Sequence, residues 1–585
     1  MEVTAPKSAA PYSDYRLASA FKLAAPRLWI ALLLVILAFL VLYPVAMLTY
    51  GALTNEDPIT GSGQGTLSLS NFLAVIGDPA VRNATWNSLV ICTGGTAIAV
   101  VVGLLFAWIT VRTNTPMRRF IEIAGMLPLF VPPLVAAFAW GLLGSPRTGL
   151  INVAFSFLGV PLSVNFYSTA GMIFIFGIYY APYVYMFTAS ALKNMDPSLE
   201  EAAEISGVGP FRTLFTIVFP LITPAILSGT LLPFVVMLGI YGIPAALGTP
   251  AQISVLTTYI YGLISWSPPN YNAAAATSVI LIAVTALCVV LQQRVMKGRS
   301  YVTVSGKSFR PKQLDLGNWK WATLAFALAY LMLGVILPTI ALLIASFRKF
   351  LFIPDVGALF QLSAYSLAHY EQLFANPLTW RSVVNTFEIG LVTAIIGGVL
   401  AFAISYTVYR TNLAGRRLLD IVSTLPVAIP GLVVGVAYIW AWIGLPLNLY
   451  GTIWILALAF VARFLPDSVK SLSTSLMQIH KDLEEASQVC GVGVLGTIRQ
   501  IIVPLVMPGL ISSMSLLFIL AIRELGSSLF LYVSDTIPMA VLLLDFYEGG
   551  NVGVTAAFSL VQTLLLVAVI GLSTVAARSF ATFSK

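Results

Sequence analysis

Long apolar runs separated by short polar connections fill most of this chain of 585 residues. A helix of about 20 apolar residues crosses the hydrocarbon core of a bilayer, and twelve segments meet that requirement. We therefore predict an all-α integral membrane protein with about twelve transmembrane helices. The predicted spans lie near residues 28–50, 87–111, 120–143, 168–190, 217–245 and 273–293 in the first half, and near 320–346, 384–409, 418–443, 451–472, 501–530 and 554–577 in the second.

The two halves repeat one another. Asn87 and Arg112 recur 298 residues later as Asn385 and Arg410. From Glu201 onward the shift falls to 284, so the first half carries about 14 extra residues in the outer loop after its third span. Each repeat has an even number of spans, which predicts two parallel six-helix repeats about an axis along the membrane normal. We expect the substrate to pass between them.

These patterns divide the chain into five parts. The joint between the repeats is polar, basic and without hydrophobic periodicity, as expected of a linker. The predicted parts are a cytoplasmic N-terminal segment (1–27), the first repeat (28–295), a cytoplasmic linker (296–319), the second repeat (320–578) and a cytoplasmic tail (579–585).

Composition and charge agree with a membrane protein. With 58% hydrophobic and 9% charged residues, the chain has too few charges to cover a soluble particle of this size. If both termini are cytoplasmic, 24 of the 31 Lys and Arg residues face the cytoplasm, as the positive-inside rule requires. The net charge of +8 is therefore read as a topology signal, and no nucleic-acid partner is expected.

One polar segment occurs once in each half. It reads EEAAEISGVGPFRTLFTIVFPLITPAI from Glu200 and EEASQVCGVGVLGTIRQIIVPLVMPGL from Glu484. Each copy predicts a short helix, a glycine with positive φ that ends it, and a return into lipid. Asp196 and Asp482 are the predicted N-caps.

The pattern EAA, three residues, Gly, nine residues and Ile-x-x-Pro resembles the coupling-loop signature of type I ABC importer permeases, and it occurs twice in register. The resemblance implies that fold, with coupling loops near 196–213 and 480–497 that dock into a groove on a separate ATPase. Ser487 departs from the third residue of the signature by a small-for-small change. The residues to which the resemblance assigns ATPase coupling are Glu201, Ala202, Ala203, Gly207, Glu485, Ala486, Ser487 and Gly491.

The energy source is expected to lie on a partner. No GxxxxGK[ST] motif occurs in the chain, which is therefore expected not to be an enzyme itself. The resemblance implies two copies of a cytoplasmic ABC ATPase that bind ATP and Mg, an external solute-binding protein, and a place in the bacterial cytoplasmic membrane. No cofactor or metal is expected on this chain, because its three cysteines and two histidines show no ligand spacing.

The second repeat carries the ionisable residues of the predicted pathway. The stretch from Thr213 to Gln293 has none, whereas its counterpart has several, and an ionisable group in a span is a functional candidate. Four of the candidates would share one helix face if the fifth span of that repeat continues far enough. A buried structural ion pair or a gate is the alternative. The candidates are Arg523, Glu524, Ser528, Tyr532, Asp535, Asp545 and Glu548.

Two further groups receive structural interpretations. Arg463 and Asp467 are assigned to the cytoplasmic end of the tenth span, where snorkelling of the arginine is favoured over an ion pair. Tyr179, Tyr180 and Tyr183 are read as packing residues, with contact to an organic cation as the alternative.

The stretch from Ala521 to Asn551 resembles the corresponding region of fused ferric-iron permeases. The resemblance implies ferric iron as substrate, and carboxylates supply the oxygen ligands that a hard trivalent cation prefers. Importers of thiamine, polyamine or phosphonate share much of the pattern and remain alternatives. A secondary ion-coupled transporter and a membrane scaffold without transport are the alternatives from other functional classes.

Overall fold

The computed structural model describes residues 27–63, 65–196, 198–296 and 313–583, and the statements below concern these residues. The predicted N-terminal segment, except for Arg27, and most of the predicted linker lie outside them. Every extended regular element in the described part is a helix. The helices of the first half are α1 (Arg27–Leu53), α2 (Ser70–Gly77), α3 (Pro79–Arg112), α4 (Arg118–Ala124), α5 (Pro133–Leu143), α6 (Leu150–Phe157), α7 (Thr169–Lys193), α8 (Ser198–Ile205), α9 (Leu214–Leu238), α10 (Leu256–Ser265) and α11 (Tyr271–Met296).

The second half repeats this order without a counterpart of α6. Its helices are α12 (Trp319–Phe347), α13 (Ala368–Ala375), α14 (Pro377–Arg410), α15 (Arg416–Thr424), α16 (Gly431–Trp442), α17 (Ile453–Met477), α18 (Asp482–Val489), α19 (Val494–Ile522), α20 (Met539–Glu548) and α21 (Val552–Phe583). The last helix continues five residues beyond 578, the predicted end of the second repeat.

The helix bounds reproduce both sequence shifts. Helices α3 and α14 begin and end 298 residues apart, and α7 and α17 begin and end 284 residues apart. The shift changes where α6 lies, so the predicted extra residues form a short helix between the third and fourth spans. Local signals repeat as well: a side-chain oxygen of Asp78 or Asn376 caps the helix, and a proline follows at its first position.

About twelve spans were predicted, and the helices agree with that number. Nine helices in the described residues are long and apolar enough to cross a membrane, and two bent helix pairs bring the number to eleven. Helix α17 supplies the twelfth: it has 25 residues, and Arg463, Asp467 and Lys470 interrupt its apolar surface.

The third span of each repeat, predicted near 120–143 and 418–443, is broken into two helical arms in the structure. Residues Arg118–Phe130 and Pro133–Leu143 meet at 96°, and Arg416–Ala428 and Gly431–Trp442 meet at 112°. A proline stands at each break, Pro132 or Pro430, where it lacks the backbone N–H that a continuing helix needs. Backbone of this kind is tolerated at membrane depth where protein or a water-filled cavity surrounds it.

The first span of each half packs against the other half. Trp29 of α1 donates to Thr407 Oγ1 at 3.0 Å, and Tyr438 of α16 donates to the backbone oxygen of Leu40 at 2.9 Å. In the reverse direction, Tyr330 of α12 donates to the backbone oxygen of Ile178 at 2.8 Å. The two repeats are therefore interlocked.

The long second and fourth spans of each repeat pack closely. A Cβ atom at Gly103 of α3 would lie 2.6 Å from Val184 Cβ and 2.7 Å from the backbone oxygen of Ala181 in α7. Small residues permit this close approach of the two helices. In lipid there is no hydrophobic driving force between helices, so dispersion contacts of this kind stabilise the pair. The packed pairs α3–α7 and α14–α17 form the frame on which the breaks and the repeated loops are held.

Candidate functional site: a central cavity and two exposed helices

The repeated loop contains a short helix in each half, α8 and α18. Both helices end at a glycine with positive φ, 75° at Gly207 and 81° at Gly491. The N–H of Gly207 bonds to Glu204 O, and that of Gly491 bonds to Gln488 O, both at 2.9 Å. Space around both glycines is open, so the left-handed conformation is the reason for glycine here.

One predicted N-cap was wrong. Asp482 is the first residue of α18, whose N-cap position is Lys481 and has no side-chain cap. The Asp482 carboxylate instead lies 3.0 Å from His480 Nδ1. In the first copy, Asp196 accepts a hydrogen bond from Ser198 N at 2.9 Å, although the intervening Pro197 lies outside the described residues.

The eight predicted coupling residues have two different orientations. Ala203 and Ser487 are buried against the permease itself, with 6% and 7% of their surface exposed. Ser487 Oγ lies 2.9 Å from Thr497 Oγ1, which explains how a serine fits where the signature has alanine. The exposed positions are those of Glu201, Ala202, Gly207, Glu485, Ala486 and Gly491.

Sequence reasoning missed the exposed apolar residues of each helix. Leu199 and Leu483 occupy equivalent positions and are 42% and 45% exposed. Ile205 and Val489 occupy equivalent positions in α8 and α18, and each is 89% exposed. The recurrence of apolar residues at the same places in two short helices rich in acidic residues was the available signal. An apolar side chain held in this way is suited to a groove on another protein.

Buried ion pairs join each short helix to the second span of its own repeat. Arg112 Nη2 lies 2.8 Å from Glu200 Oε1, and Arg410 Nη1 lies 3.3 Å from Glu484 Oε1. Both arginines are the last residues of long helices and are at most 4% exposed. A displacement of either short helix would therefore reach a membrane span through a desolvated charge pair.

The second of these pairs is the more extensive. Arg410 Nη2 also donates to the backbone oxygens of Leu476 at 2.6 Å and Ile479 at 2.5 Å. These carbonyls lie at the end of α17, where a cation is favourable to the helix dipole. Tyr406 adds a hydrogen bond of 3.4 Å to Glu484 Oε2.

A central cavity of about 210 Å³ lies between the halves. It forms where broken spans of both repeats meet, at the bends near Pro132 and Pro430 and at the ends of α9 and α19. A Cβ atom at Gly239, just after α9, would lie 2.9 Å from Pro430 Cβ of the other half. Discontinuous spans at a repeat interface are typical of substrate sites in transporters.

A buried ion pair forms one wall of this cavity. Arg463 Nη1 lies 2.5 Å from Glu524 Oε1, which also accepts the N–H of Ser527 at 2.8 Å. Gly431 leaves the space for this pair, because a Cβ atom there would lie 1.1 Å from Arg463 Nη1. Arg463 is the eleventh of 25 residues in α17, so its assignment to the cytoplasmic end with snorkelling was wrong.

The neighbouring arginine crosses to the other half. Arg523 Nη1 donates to the backbone oxygen of Leu129 at 2.6 Å. That carbonyl belongs to the bend of the third span, where the helix no longer uses all its backbone acceptors. Arg523 thus supports the broken backbone of the first repeat.

The predicted common face for Glu524, Ser528, Tyr532 and Asp535 does not exist, because α19 ends at Ile522. Glu524 and Ser528 are buried beside the cavity, and Ser528 Oγ donates to Glu524 O at 3.2 Å. Asp535 is exposed and pairs with Arg381 at 2.5 Å, away from the cavity lining. Between α19 and α20 the chain forms only one short 3-10 helix, Ser528–Phe530, so Glu524 and Asp535 do not share a helix face.

Tyr532, Asp545 and Glu548 form a second group close to one another, between α19 and α21. Burial, with the charges of both carboxylates, raises the pKa of Tyr532 to about 12. The surrounding protein removes part of the hydration of the Asp545 carboxylate. This disfavours its charged form and raises its pKa. Burial and the neighbouring Asp545 also raise the pKa of Glu548.

Several polar cavity residues were not among the predicted pathway residues, including Arg463, Asp467, Tyr180 and Tyr183. Tyr179, by contrast, is not part of the cavity lining. The available signal was the repeat itself, since Tyr183 and Asp467 are equivalent at the 284-residue shift.

Known proteins resemble most of the chain. It is 28% identical over 508 residues to the ferric transport system permease protein FbpB of Actinobacillus pleuropneumoniae, covering 86% of this chain and 72% of the relative. It is 27% identical over 518 residues to a putative ferric transport system permease protein of Haemophilus influenzae, covering 86% and 77%. An sn-glycerol-3-phosphate transport system permease protein of Shigella dysenteriae serotype 1 is 27% identical over 282 residues, 47% of this chain and 94% of the relative.

A family description matches once in each half, at residues 99–299 and 390–581. Each match contains one short exposed helix, one bent third span and one side of the central cavity. The two repeats seen in the fold are therefore two copies of one family domain. The chain belongs to the family of binding-protein-dependent transport system inner membrane components.

Proposed function

We propose that this chain is the permease of an ATP-driven importer for ferric iron, in which α8 and α18 each dock on one copy of a cytoplasmic ABC ATPase. An external solute-binding protein delivers the cargo to the opposite face, and both termini are cytoplasmic. ATP and Mg belong to the ATPase, and this chain supplies the path. Alternating access then follows from rocking of the two interlocked repeats.

The observation that carries the coupling role is the pair of exposed helices with the same internal support. Each presents an apolar residue, Ile205 or Val489, and each is joined to a long span by a buried arginine–glutamate pair. Two equal docking points fit two copies of one partner. A rigid, capped helix can pass a displacement into the span behind it.

Two lines of support favour ferric iron as cargo. Two relatives that align with 86% of the chain are named as ferric transport permeases, whereas the glycerol-phosphate permease aligns with 47% of it. Carboxylates and phenols also line the cavity, namely Asp467, Glu524, Tyr180, Tyr183 and Tyr241. Oxygen ligands of this kind suit a hard trivalent cation.

Reconstitution tests both parts of the proposal. The full-length chain, its ATPase and its binding protein are assembled in liposomes, and uptake of radioactive ferric iron is measured with and without ATP. The proposal predicts uptake that requires ATP and the binding protein. Uptake driven by a proton or sodium gradient alone would identify a secondary carrier instead.

A charged residue at the exposed apolar positions tests the docking role. The double variant Ile205→Asp/Val489→Asp should fold normally but lose ATPase co-purification, because it places charges in the expected groove contact. Co-purification at the level of the unmodified protein would contradict the assignment of these helices. Leu362→Asp is the control, since this residue is 85% exposed but lies in the loop between α12 and α13, away from both short helices.

A further inference from the structure

We propose that Asp467 and the phenol oxygens of Tyr180 and Tyr183 form a transient binding site for a hard metal cation inside the central cavity. This inference rests on the proposed function, because it identifies the point at which ferric cargo contacts the permease. It concerns three residues that sequence reasoning placed among structural groups.

The three side chains come from the two fourth spans, which face each other across the repeat axis. Tyr183 of α7 and Asp467 of α17 are equivalent residues, and both line the cavity. Tyr180 lies one helical turn from Tyr183, and their rings stack with centroids 5.9 Å apart.

Three cationic residues lie near Asp467: Arg463 and Lys470, each one turn away on α17, and Arg523, which also lines the cavity. In the ranges that the structure describes, none of them forms an ion pair with Asp467. Arg463, one turn away on the same helix, is committed to Glu524 at 2.5 Å. Arg523 donates to the backbone oxygen of Leu129 at 2.6 Å. Within the described part of the chain, the Asp467 carboxylate accepts no hydrogen bond and forms no ion pair, although it lies midway along a membrane-crossing helix. A carboxylate in this position is costly unless it serves a charged ligand or water.

The phenol oxygens are available in the same way. Among the described residues, neither Tyr180 nor Tyr183 donates a hydrogen bond to a protein acceptor, whereas Tyr330 and Tyr438 of the interlocked spans both do. A tyrosine enclosed in a membrane protein normally satisfies its hydroxyl. One carboxylate and two unpartnered phenols facing one cavity provide three oxygen donors from two helices.

This donor set suits passage of the cargo. Oxygen atoms are the ligands that hard cations prefer, and three of them leave other coordination positions to water. A cavity of about 210 Å³ has room for several waters around an ion. When Fe³⁺ binds a phenol oxygen, the O–H bond breaks and one proton passes to the cavity water, while the iron keeps its oxidation state. A partial ligand set holds the ion well enough to enter and weakly enough to leave.

The binding experiment uses the purified full-length chain in lipid nanodiscs, with ferric nitrilotriacetate as the probe. Binding through a phenolate gives a visible iron(III)–phenolate charge-transfer absorption. Asp467→Asn should weaken ferric binding about tenfold or more, because it removes the one anionic ligand. Tyr183→Phe should remove a substantial part of the visible absorption, and Asp467→Glu should restore binding in part.

Matched variants separate a ligand role from a structural one. Tyr179→Phe removes a phenol from the same helix outside the cavity lining, and Asp355→Asn keeps the N-cap of an exposed loop turn. Both should bind and absorb as the unmodified chain does. If Asp467→Asn does not fold, Tyr183→Phe still decides the question, since it removes a single oxygen.

The outcomes distinguish this site from the proposed function. Full binding and unchanged absorption in both Asp467→Asn and Tyr183→Phe would overturn the site, even if the reconstituted complex takes up iron. If phosphate or molybdate displaces the probe and Asp467→Asn has no effect, the cavity binds anions, with Arg523 as the expected cationic contact. That result would overturn the proposed cation site. Absence of ATP-driven iron uptake by the unmodified complex would contradict the proposed function, whatever the chain alone binds.

Discussion

The two halves of the central cavity have the same backbone and different chemistry. Where the first repeat has Gly239 and Ile240 after its fifth span, the second has Arg523 and Glu524. The first half contributes glycine, proline and tyrosine surfaces, and the second contributes the charges. The two exposed short helices are thus symmetric, and the cavity is not. Under the proposed function, ATPase coupling would follow the repeat, whereas cargo recognition would depart from it.

The same contrast exists at the fourth spans. Tyr179 and Tyr183 of α7 stand where α17 has Arg463 and Asp467. Arg463 and Glu524 are thus two substitutions that depend on each other, since each would be an isolated buried charge without the other. Among the residues that the structure describes, Asp467 has no ion-pair partner on which it depends, and this supports the ligand role proposed for it above.

The largest loss of stability is expected when only one residue of the Arg463–Glu524 ion pair is replaced by its first-half counterpart. Glu524→Ile leaves Arg463 buried without its carboxylate and should reduce stability by about 3–5 kcal/mol. The double variant Arg463→Tyr/Glu524→Ile, which copies the first half, should recover much of that loss. Thermal unfolding of the purified chain measures both. Equal destabilisation by the single and double variants would refute the dependence of the two residues.

Gly431→Ala should disrupt the Arg463–Glu524 pair by steric overlap, without changing any charge. A Cβ atom there would lie 1.1 Å from Arg463 Nη1 and 2.8 Å from Glu524 Oε1, so the guanidinium must move. We expect a loss of about 2–4 kcal/mol in unfolding free energy together with loss of uptake. Gly444→Ala is the control, because no atom lies within 4 Å of its Cβ position. Normal stability of Gly431→Ala would show that the pair is not confined as described.

The coupling pairs should differ between the halves to a smaller degree. Arg410→Ala removes an ion pair and two bonds to carbonyls at the end of α17, whereas Arg112→Ala removes the ion pair to Glu200. We expect both to lower the stimulation of ATP hydrolysis by cargo, with Arg410→Ala more severe by about 1–2 kcal/mol in stability. ATPase assays of the reconstituted complex and unfolding curves test the order. The reverse order would mean that the first repeat carries the coupling.

The smallest effect concerns the pH dependence of Asp545 and Glu548, for which the first half has no charged counterpart. Their raised pKa values mean that the folded chain binds protons more tightly than the unfolded chain, so these groups favour folding at low pH, and this contribution is lost as pH rises through the folded pKa values. Asp545→Asn/Glu548→Gln should therefore be more stable than the unmodified chain at neutral pH by a few tenths of a kcal/mol, since both groups are accessible to water. The difference should vanish below the ordinary carboxyl pKa. A variant less stable at neutral pH would give the opposite sign.

The repeat, the number of spans and the two short exposed helices were predictable from the sequence. Helix bounds depend on local signals that occur twice, such as the proline after Asp78 and Asn376 and the glycines at Gly207 and Gly491. Hydrophobicity alone did not reveal the bends at Pro132 and Pro430, because both arms of each bend are apolar. It also could not place the end of α19 at Ile522.

The cavity was harder to predict because its chemistry is assembled across long sequence separations. Arg463 and Glu524 are 61 residues apart, and Leu129 and Arg523 are 394 apart. Helical spacing pairs Arg463 with Asp467 and Glu524 with Ser528, yet the structure gives Arg463 to Glu524 and separates Ser528 from Asp535. Only the fold determines which of these partners is in reach.

The contacts of the first spans with the opposite half have a consequence for synthesis and membrane insertion of the protein. The Tyr438 hydroxyl that holds Leu40 is made 398 residues after it, so α1 enters the membrane long before its neighbour exists. It must remain in lipid unaided, and α1 is the most hydropathic of the candidate spans in the described residues. Only when α16 has been synthesised can Tyr438 bind Leu40 of α1. A chain that ends before α16 would therefore lack this contact between the repeats.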